Sequence, residues 1–250
     1  MSSAGQPVRP PLRAPGENYT LLLSALHAHL TPKTYFEIGS ASGTSLSLAQ
    51  CASLAVDPAF KLSKNVVLQK PSLHLYQITS DAFFRNFNPK AILGDAIDLA
   101  FLDGMHLYEF LLRDFMNTEK HCRPNSVIAL HDCVPSESAM TRRNPGGAEI
   151  QQSALPIWWT GDVWKLVPIL KKYRPDLAIT VADASPTGLV LITNLDPTSR
   201  VLEASYAEIT RGWAEVDLGS YGLDRFVDEC ALVPTASLKD FEQLAKRFWL

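Results

Sequence analysis

The chain has 250 residues, 46% of them hydrophobic and 20% charged, with a formal net charge of −3. A chain of this size buries a substantial core, and one α/β domain is the ordinary outcome. The mild acidity and the scattered basic residues exclude a global field for nucleic acid or anionic membrane, so neither is expected as a partner.

Residues 1–16 are rich in Pro, Ser and Gly and lack apolar periodicity, which predicts a mobile arm. They also lack the basic start and apolar core of a signal peptide. No apolar run reaches the ~18 residues that a membrane span needs. The four cysteines, Cys51, Cys122, Cys133 and Cys230, have neither the paired spacing of a zinc site nor the density of a disulfide framework. A cytoplasmic protein is expected.

From Glu17 onward, Leu21, Leu22, Ala25, Leu26 and Leu30 recur at helical spacing up to Pro32. "TYFEIGS" reads as a buried strand and "TSLSLAQCA" as the helix after its glycine loop. "SLAVD" is a second strand ending on Asp57, and "LHLYQITSD" a third ending on Asp81. "AIDLAFLDG", the most apolar strand, ends on Asp103; a helix follows through Tyr108, Leu111, Leu112 and Phe115. "SVIALHDC" is a further strand ending on His131 and Asp132. "VWKLVPILKKY" reads as a helix, and "LAITVAD" and "GLVLITN" flank a turn at Ser185–Gly188 as a hairpin. Strands alternating with helices predict a Rossmann-like, mostly parallel seven-stranded sheet over residues 17–199, with helices on both faces and a C-terminal antiparallel hairpin. Residues 200–250 are expected to form a helical extension packed on the same domain.

Ligands of such sheets bind outside the carboxyl ends of the strands. Asp57, Asp81, Asp103 and Asp132 are predicted at strand ends, and Glu37 lies just before the first loop. One acid there has a bland explanation in turns and helix caps; five at equivalent positions point to a ligand site. The loop reads Glu37-x-Gly39-x-x-x-Gly43, unlike the G-x-G-x-x-G that cradles a dinucleotide pyrophosphate. Its glycines allow close backbone approach to a ligand. An acid beside the loop suits a cationic ligand, and Asp57 stands where a carboxylate accepts from ribose hydroxyls.

"EIGSASGTS", "LAVD" and "IDLAFLDGMHLYE…SVIALHDCVP", within roughly Tyr35–Asn194, resemble the class I S-adenosylmethionine-dependent methyltransferases. The last stretch is similar to the branch of catechol, sugar and macrolide O-methyltransferases. The resemblance implies that Glu37, Gly39, Ser42, Gly43 and Thr44 line the methionine end of the cofactor. Asp57 would hold the ribose and Ser80, Asp81 and Ala82 the adenine, and Asp103 is also expected among the cofactor-binding residues.

His106 is the candidate general base, three residues after Asp103, because histidine is the side chain best suited to take a hydroxyl proton near neutral pH. The resemblance places a lysine here in catechol-type enzymes and a histidine in macrolide-sugar relatives. Asp103 and Asp132 would end adjacent strands and could share a magnesium ion that positions and acidifies the acceptor hydroxyl. The chain departs from metal-dependent relatives in having Asp132-Cys133 where they have Asp-Asn or Asp-Asp. Cysteine is a poor magnesium ligand, and His131 suits a transition metal better.

Asp162 is a candidate N-cap, and Trp158, Trp159 and Trp164 are candidates for an acceptor wall or for core packing. His27, His29, His74 and His121 are read as surface or structural residues, and the cysteines as packing, with Cys133 singled out by its place. The expected function is O-methylation of a small hydroxylated acceptor, a sugar or natural-product intermediate. The alternatives are an NAD-dependent oxidoreductase, disfavoured by the loop spacing, and a non-catalytic cofactor-binding homologue, disfavoured by the pairing of Asp103 with His106. A metal-dependent phosphohydrolase, suggested by His131-Asp132 alone, is weaker. The arm and the helical C-terminus are both suited to a homodimer.

Overall fold

Apolar runs flanked by glycine loops and helices become the strands of one sheet. The computed structural model describes residues 11–147, 155 and 158–249. The strands are β1 (Thr34–Ile38), β2 (Ala52–Val56), β3 (Leu73–Tyr76), β4 (Ile97–Leu102), β5 (Cys122–His131), β6 (Ala178–Ala182) and β7 (Leu189–Thr193), in the order β3-β2-β1-β4-β5-β7-β6. All neighbours pair in parallel except β7, which runs antiparallel to both β5 and β6. The predicted Rossmann-like sheet with its antiparallel hairpin is therefore the observed one.

Strands β1 and β4 are buried along their whole lengths, as expected where both faces of a parallel sheet are covered. Phe36, Ile38 and Leu102 face a core shared with Leu111, Leu112 and Phe115 of α4 (Tyr108–Glu119), and with α5 (Leu166–Tyr173) and α6 (Val201–Trp213). Tyr35, Leu99 and Phe101 face the other core, against Leu22, Leu23 and Leu26 of α1 (Tyr19–Leu30). Leu238, Leu244 and Phe248 from the last fifteen residues close that second core. Helix α1 starts where Asn18 accepts from the Thr20 amide, a side-chain N-cap. Among the described residues no helix is long and apolar enough to cross a membrane.

Three expectations change. Residues 1–10 of the predicted arm lie outside the described residues, whereas Pro11–Gly16 is tied down: Ala14 is fully buried and the Gly16 amide donates to the Asp183 carbonyl. The helix expected after the glycine loop is a single 3-10 turn, Leu46–Leu48. Its hydroxyls compete for the backbone, Ser47 Oγ donating to the Thr44 carbonyl at 2.8 Å. The third strand ends at Tyr76, so Asp81 is no strand-end acid. It lies in the first turn of α2 (Ser80–Asn86), whose N-cap Thr79 accepts from the Ala82 amide.

Candidate active site

The sheet order reverses between β1 and β4, which places a ligand crevice outside their carboxyl ends. Gly39 has φ of +85°, and a Cβ there would stand 2.0 Å from the Asp103 carbonyl oxygen. Gly43, at φ of +82°, would put a Cβ 2.6 Å from Val66 Cγ1. Both glycines thus permit left-handed backbone and loop-on-loop contact, the physical reason that side chains are excluded. The close approach predicted toward a ligand is an approach to neighbouring loops.

Asp57, at the end of β2, accepts from the Ala41 amide at 2.8 Å and the Ala59 amide at 2.7 Å. Its carboxylate ties the glycine loop to β2 and keeps lone pairs for further donors. Ser42 and Thr44 are half-buried on that loop, their hydroxyls 2.9 Å apart. Glu37 is different. It is fully buried, and its Oε2 accepts from the Tyr35 hydroxyl at 2.5 Å while Oε1 has no hydrogen-bond partner among the described residues. Burial pushes its carboxyl up to about 7, partly offset by the hydroxyls of Ser40, Tyr35 and Ser45. Asp81 is engaged too, in a bidentate pair with Arg113 at 2.7 and 2.9 Å, while Ser80 and Ala82 lie with it in the first turn of α2.

The ends of β4 and β5 bring four polar side chains together. His106 Nε2 lies 3.4 Å from Asp103 Oδ1 and 3.3 Å from Asp132 Oδ2. His131 Nδ1 lies 3.3 Å from Asp103 Oδ1 and 3.5 Å from Asp132 Oδ1. Asp132 adopts φ of +59°, uncommon for a residue with a side chain, and accepts from the Thr187 hydroxyl at 2.5 Å. His131 and Asp132 follow the buried strand β5, while Asp103 follows β4; parallel pairing of Leu102 with Leu130 sets the carboxylates side by side.

His106 is aimed by a segment fifty residues away. The Trp159 carbonyl accepts from His106 Nδ1 at 3.0 Å, leaving Nε2 to face the carboxylates, and the Trp159 ring stacks on the imidazole at 5.0 Å. Gly161, at φ of +55°, lies so close to the His106 carbonyl that a Cβ would fall 1.7 Å from its oxygen. Next to it, the Asp162 amide donates to that same carbonyl at 3.2 Å. The Asp162 carboxylate accepts from the Tyr108 amide at 3.0 Å, satisfying the first turn of α4. Asp162 therefore caps the helix after His106 rather than its own, and anchors Arg143 and Lys165.

Tyr19, Trp158, Trp159 and Pro186 wall a cavity of about 450 Å³ over this cluster. Trp164 does not join them; it is fully buried among Trp213, Tyr221 and Phe226. Cys133 is likewise a core residue, its thiol fully buried and pushed up by burial. Of the four histidines read as bland, His27 is mostly buried, with an unpartnered Nε2 and an imidazole pushed down to about 4 by burial.

Electrostatically the cluster is a bound charge pattern. Burial opposes protonation of His106 and His131, yet Asp103 and Asp132 raise them to about 9 and about 10. Burial likewise opposes ionisation of Asp103, but the two imidazoles hold its carboxyl well below the ordinary range. Tyr19 is pushed up to about 12 by burial and by Asp103 and Asp132.

Sequence reasoning named Asp103, His106 and Asp132, and the structure brings all three together. It missed Tyr19, Thr187 and Gly161, which come from a helix start and two turns with no local signal. The adjacency of His131 to Asp132 was the one sequence cue for the fourth polar group.

Residues 36–133, from within β1 to just past β5, match a family described as a methyltransferase domain. No curated protein sequence matches the chain. Among solved structures it is similar to methyltransferase PaMTH1 of Podospora anserina, bound to SAH, at 14% identity and a TM-score of 0.49, over 71% of this chain and 78% of that one. A second is the O-methyltransferase TomG of Streptomyces achromogenes, involved in tomaymycin synthesis, in complex with SAM, at 14% identity and TM-score 0.48, over 70% and 78%. A third is an O-methyltransferase from Bacillus cereus in complex with SAH, at 14% identity and TM-score 0.49, over 70% and 79%. The matched segment runs from β1 to β5 and holds Asp57, Asp103, His106 and Asp132, so the resemblance to a methyltransferase domain falls on the crevice and its polar cluster.

Proposed function

We propose that the protein transfers a methyl group from S-adenosylmethionine to a hydroxyl of a small acceptor, a sugar or a natural-product intermediate. The observation that carries the reading is His106 Nε2 set between the Asp103 and Asp132 carboxylates, under an aromatic-walled cavity beside the switch crevice.

The residues present fit the cofactor in kind. Asp57 offers free lone pairs at the end of β2 for the ribose hydroxyls, and Ser42 and Thr44 offer hydroxyls on the β1 loop toward the methionine end. Ser80 and Ala82, at the start of α2, flank the adenine position. Glu37 acts behind the loop, towards the hydroxyls of Ser40 and Ser45. The bound cofactor supplies an electrophilic sulfonium methyl.

Asp103 and Asp132 orient the acceptor, and the neutral form of His106, its ring fixed through Nδ1 by the Trp159 carbonyl, takes the hydroxyl proton at Nε2 as the oxygen attacks. Against burial, the carboxylates raise this imidazole to about 9, so the active fraction grows as pH rises towards that value. A divalent cation on the two carboxylates, magnesium in the simplest case, would position and acidify that hydroxyl. Trp158, Trp159 and Tyr19 give flat walls that exclude water from the transfer. The acceptor is a small molecule, since the cavity is of about 450 Å³.

Calorimetric titration with S-adenosylhomocysteine and, separately, NAD tests the cofactor class. Micromolar binding of the first and none of the second is expected; binding of NAD alone would overturn the reading.

A further inference from the structure

The donor chemistry at the ends of β4 and β5 selects among cations. One donor atom each from Asp103, His131 and Asp132 lies within 4.8 Å of the others. The contacts that join His131 to the carboxylates are 3.3 and 3.5 Å long. Ion pairs elsewhere in the protein close further: Arg113–Asp81 at 2.7 Å, Arg174–Glu119 at 2.8 Å and Arg143–Asp162 at 2.7 Å. An imidazolium held between carboxylates for its charge alone would close to about 2.7–2.9 Å. The wider spacing, which His106 shares at 3.3 and 3.4 Å, leaves room for one ion among these groups, because ligands about 2.0–2.1 Å from a tetrahedral centre lie roughly 3.3–3.4 Å apart.

Three further observations agree. His131 is only 8% exposed, held between the Tyr19 and Phe101 rings with Nδ1 turned to the carboxylates, while its Nε2 has no hydrogen-bond partner among the described residues. The Thr187 hydroxyl donates to Asp132 Oδ1, the outer hydrogen bond that orients a ligating carboxylate. The left-handed backbone of Asp132 is local strain of the kind retained at functional sites. Magnesium takes oxygen donors, whereas an imidazole in the set favours zinc, cobalt or iron.

We infer that Asp103, Asp132 and His131 form a site for a divalent transition metal in preference to magnesium, with His131 Nδ1 setting the preference. The inference deepens the proposed function only in that this ion would meet the acceptor hydroxyl. Metal binding is measured without cofactor or acceptor, so its failure leaves the methyl-transfer reading standing, and the reverse.

The test uses the full chain, stripped with chelator and titrated with Co²⁺ and with Mg²⁺. Cobalt is expected to bind at least about 100-fold more tightly. Pulsed electron paramagnetic resonance of the Mn²⁺-loaded protein should show coupling to a directly bound nitrogen. His131→Gln should abolish that coupling and weaken cobalt binding by about 10–100-fold. His131→Asp, with oxygen donors only, should shift preference to magnesium. Magnesium binding as tight as cobalt, no nitrogen coupling in the wild-type protein, or coupling that survives His131→Gln would each overturn the inference. Should His131→Gln fail to fold, the wild-type cobalt-to-magnesium ratio and nitrogen signal decide by themselves.

Discussion

The two halves of the crevice are built on opposite terms. At the ends of β1 and β2 the sequence motif is specific, yet its acid is buried, its glycines meet neighbouring loops, and Asp57 spends hydrogen bonds on its own loop. At the ends of β4 and β5 the motif is thin, yet four polar side chains converge and face a cavity. A recurrent motif marks where backbone must bend in one way, which is a steric demand. Chemistry at the reacting atoms rests on side chains that several distant segments aim together. The β1–β2 half should therefore govern cofactor affinity, and the β4–β5 half turnover.

The sharpest way to break that division is His106→Ala, which should lower kcat by about 10²–10⁴-fold with S-adenosylhomocysteine affinity unchanged. Equal losses in affinity and turnover would merge the two halves. Asp57→Ala should do the converse, weakening S-adenosylhomocysteine by roughly 10–100-fold in calorimetry while leaving metal affinity intact. Gly161→Ala should cost about tenfold in kcat at unchanged cofactor affinity, because a side chain there displaces the His106 carbonyl. A Gly161→Ala enzyme with wild-type kcat would show that the Trp159–Asp162 segment does not position the base.

The smallest effect concerns stability. Asp114, buried in α4, has its carboxyl raised from 3.8 to about 7 by burial and by Asp81, against Arg113 and a hydrogen bond from Ser80. The folded state keeps this proton where the unfolded chain has lost it. Its contribution is therefore complete below the unfolded value and fades as pH rises through about 7. Asp114→Asn should raise the unfolding free energy at pH 8 relative to wild type by roughly 1–3 kcal/mol, with a smaller gain at pH 5 and none below the unfolded value. A gain independent of pH would show that the carboxyl is already ionised in the fold.

The strands were legible because β1, β4 and the second half of β5 (residues 126–131) are mostly apolar and buried, a pattern that owes little to distant contacts. The helix read into "TSLSLAQCA" failed because Ser and Thr offer the backbone local alternatives that apolar spacing does not register. Asp103, His106 and Asp132 could be found from strand ends. The role of Asp162 could not, because it caps a helix fifty-four residues earlier and nothing local distinguishes it from a cap of its own helix. Tyr19 was hidden for a similar reason: it is the first residue of α1 and reaches His131 only because α1 packs across the sheet, ring centroids 4.0 Å apart.

That placement of Tyr19 bears on the order of synthesis. Its amide donates to the Ser185 carbonyl, the Ser185 amide to the Glu17 carbonyl, and the Glu17 amide to Thr235 Oγ1 across 218 residues. While the chain emerges from the ribosome, the segment that walls the cavity is made 218 residues before the Thr235 hydroxyl that helps to hold it. The sheet can assemble strand by strand, but the cavity has no complete wall until residue 235 is free of the exit tunnel. A chain cut before residue 235 would thus loosen Tyr19 at the cavity without losing a residue that lines it.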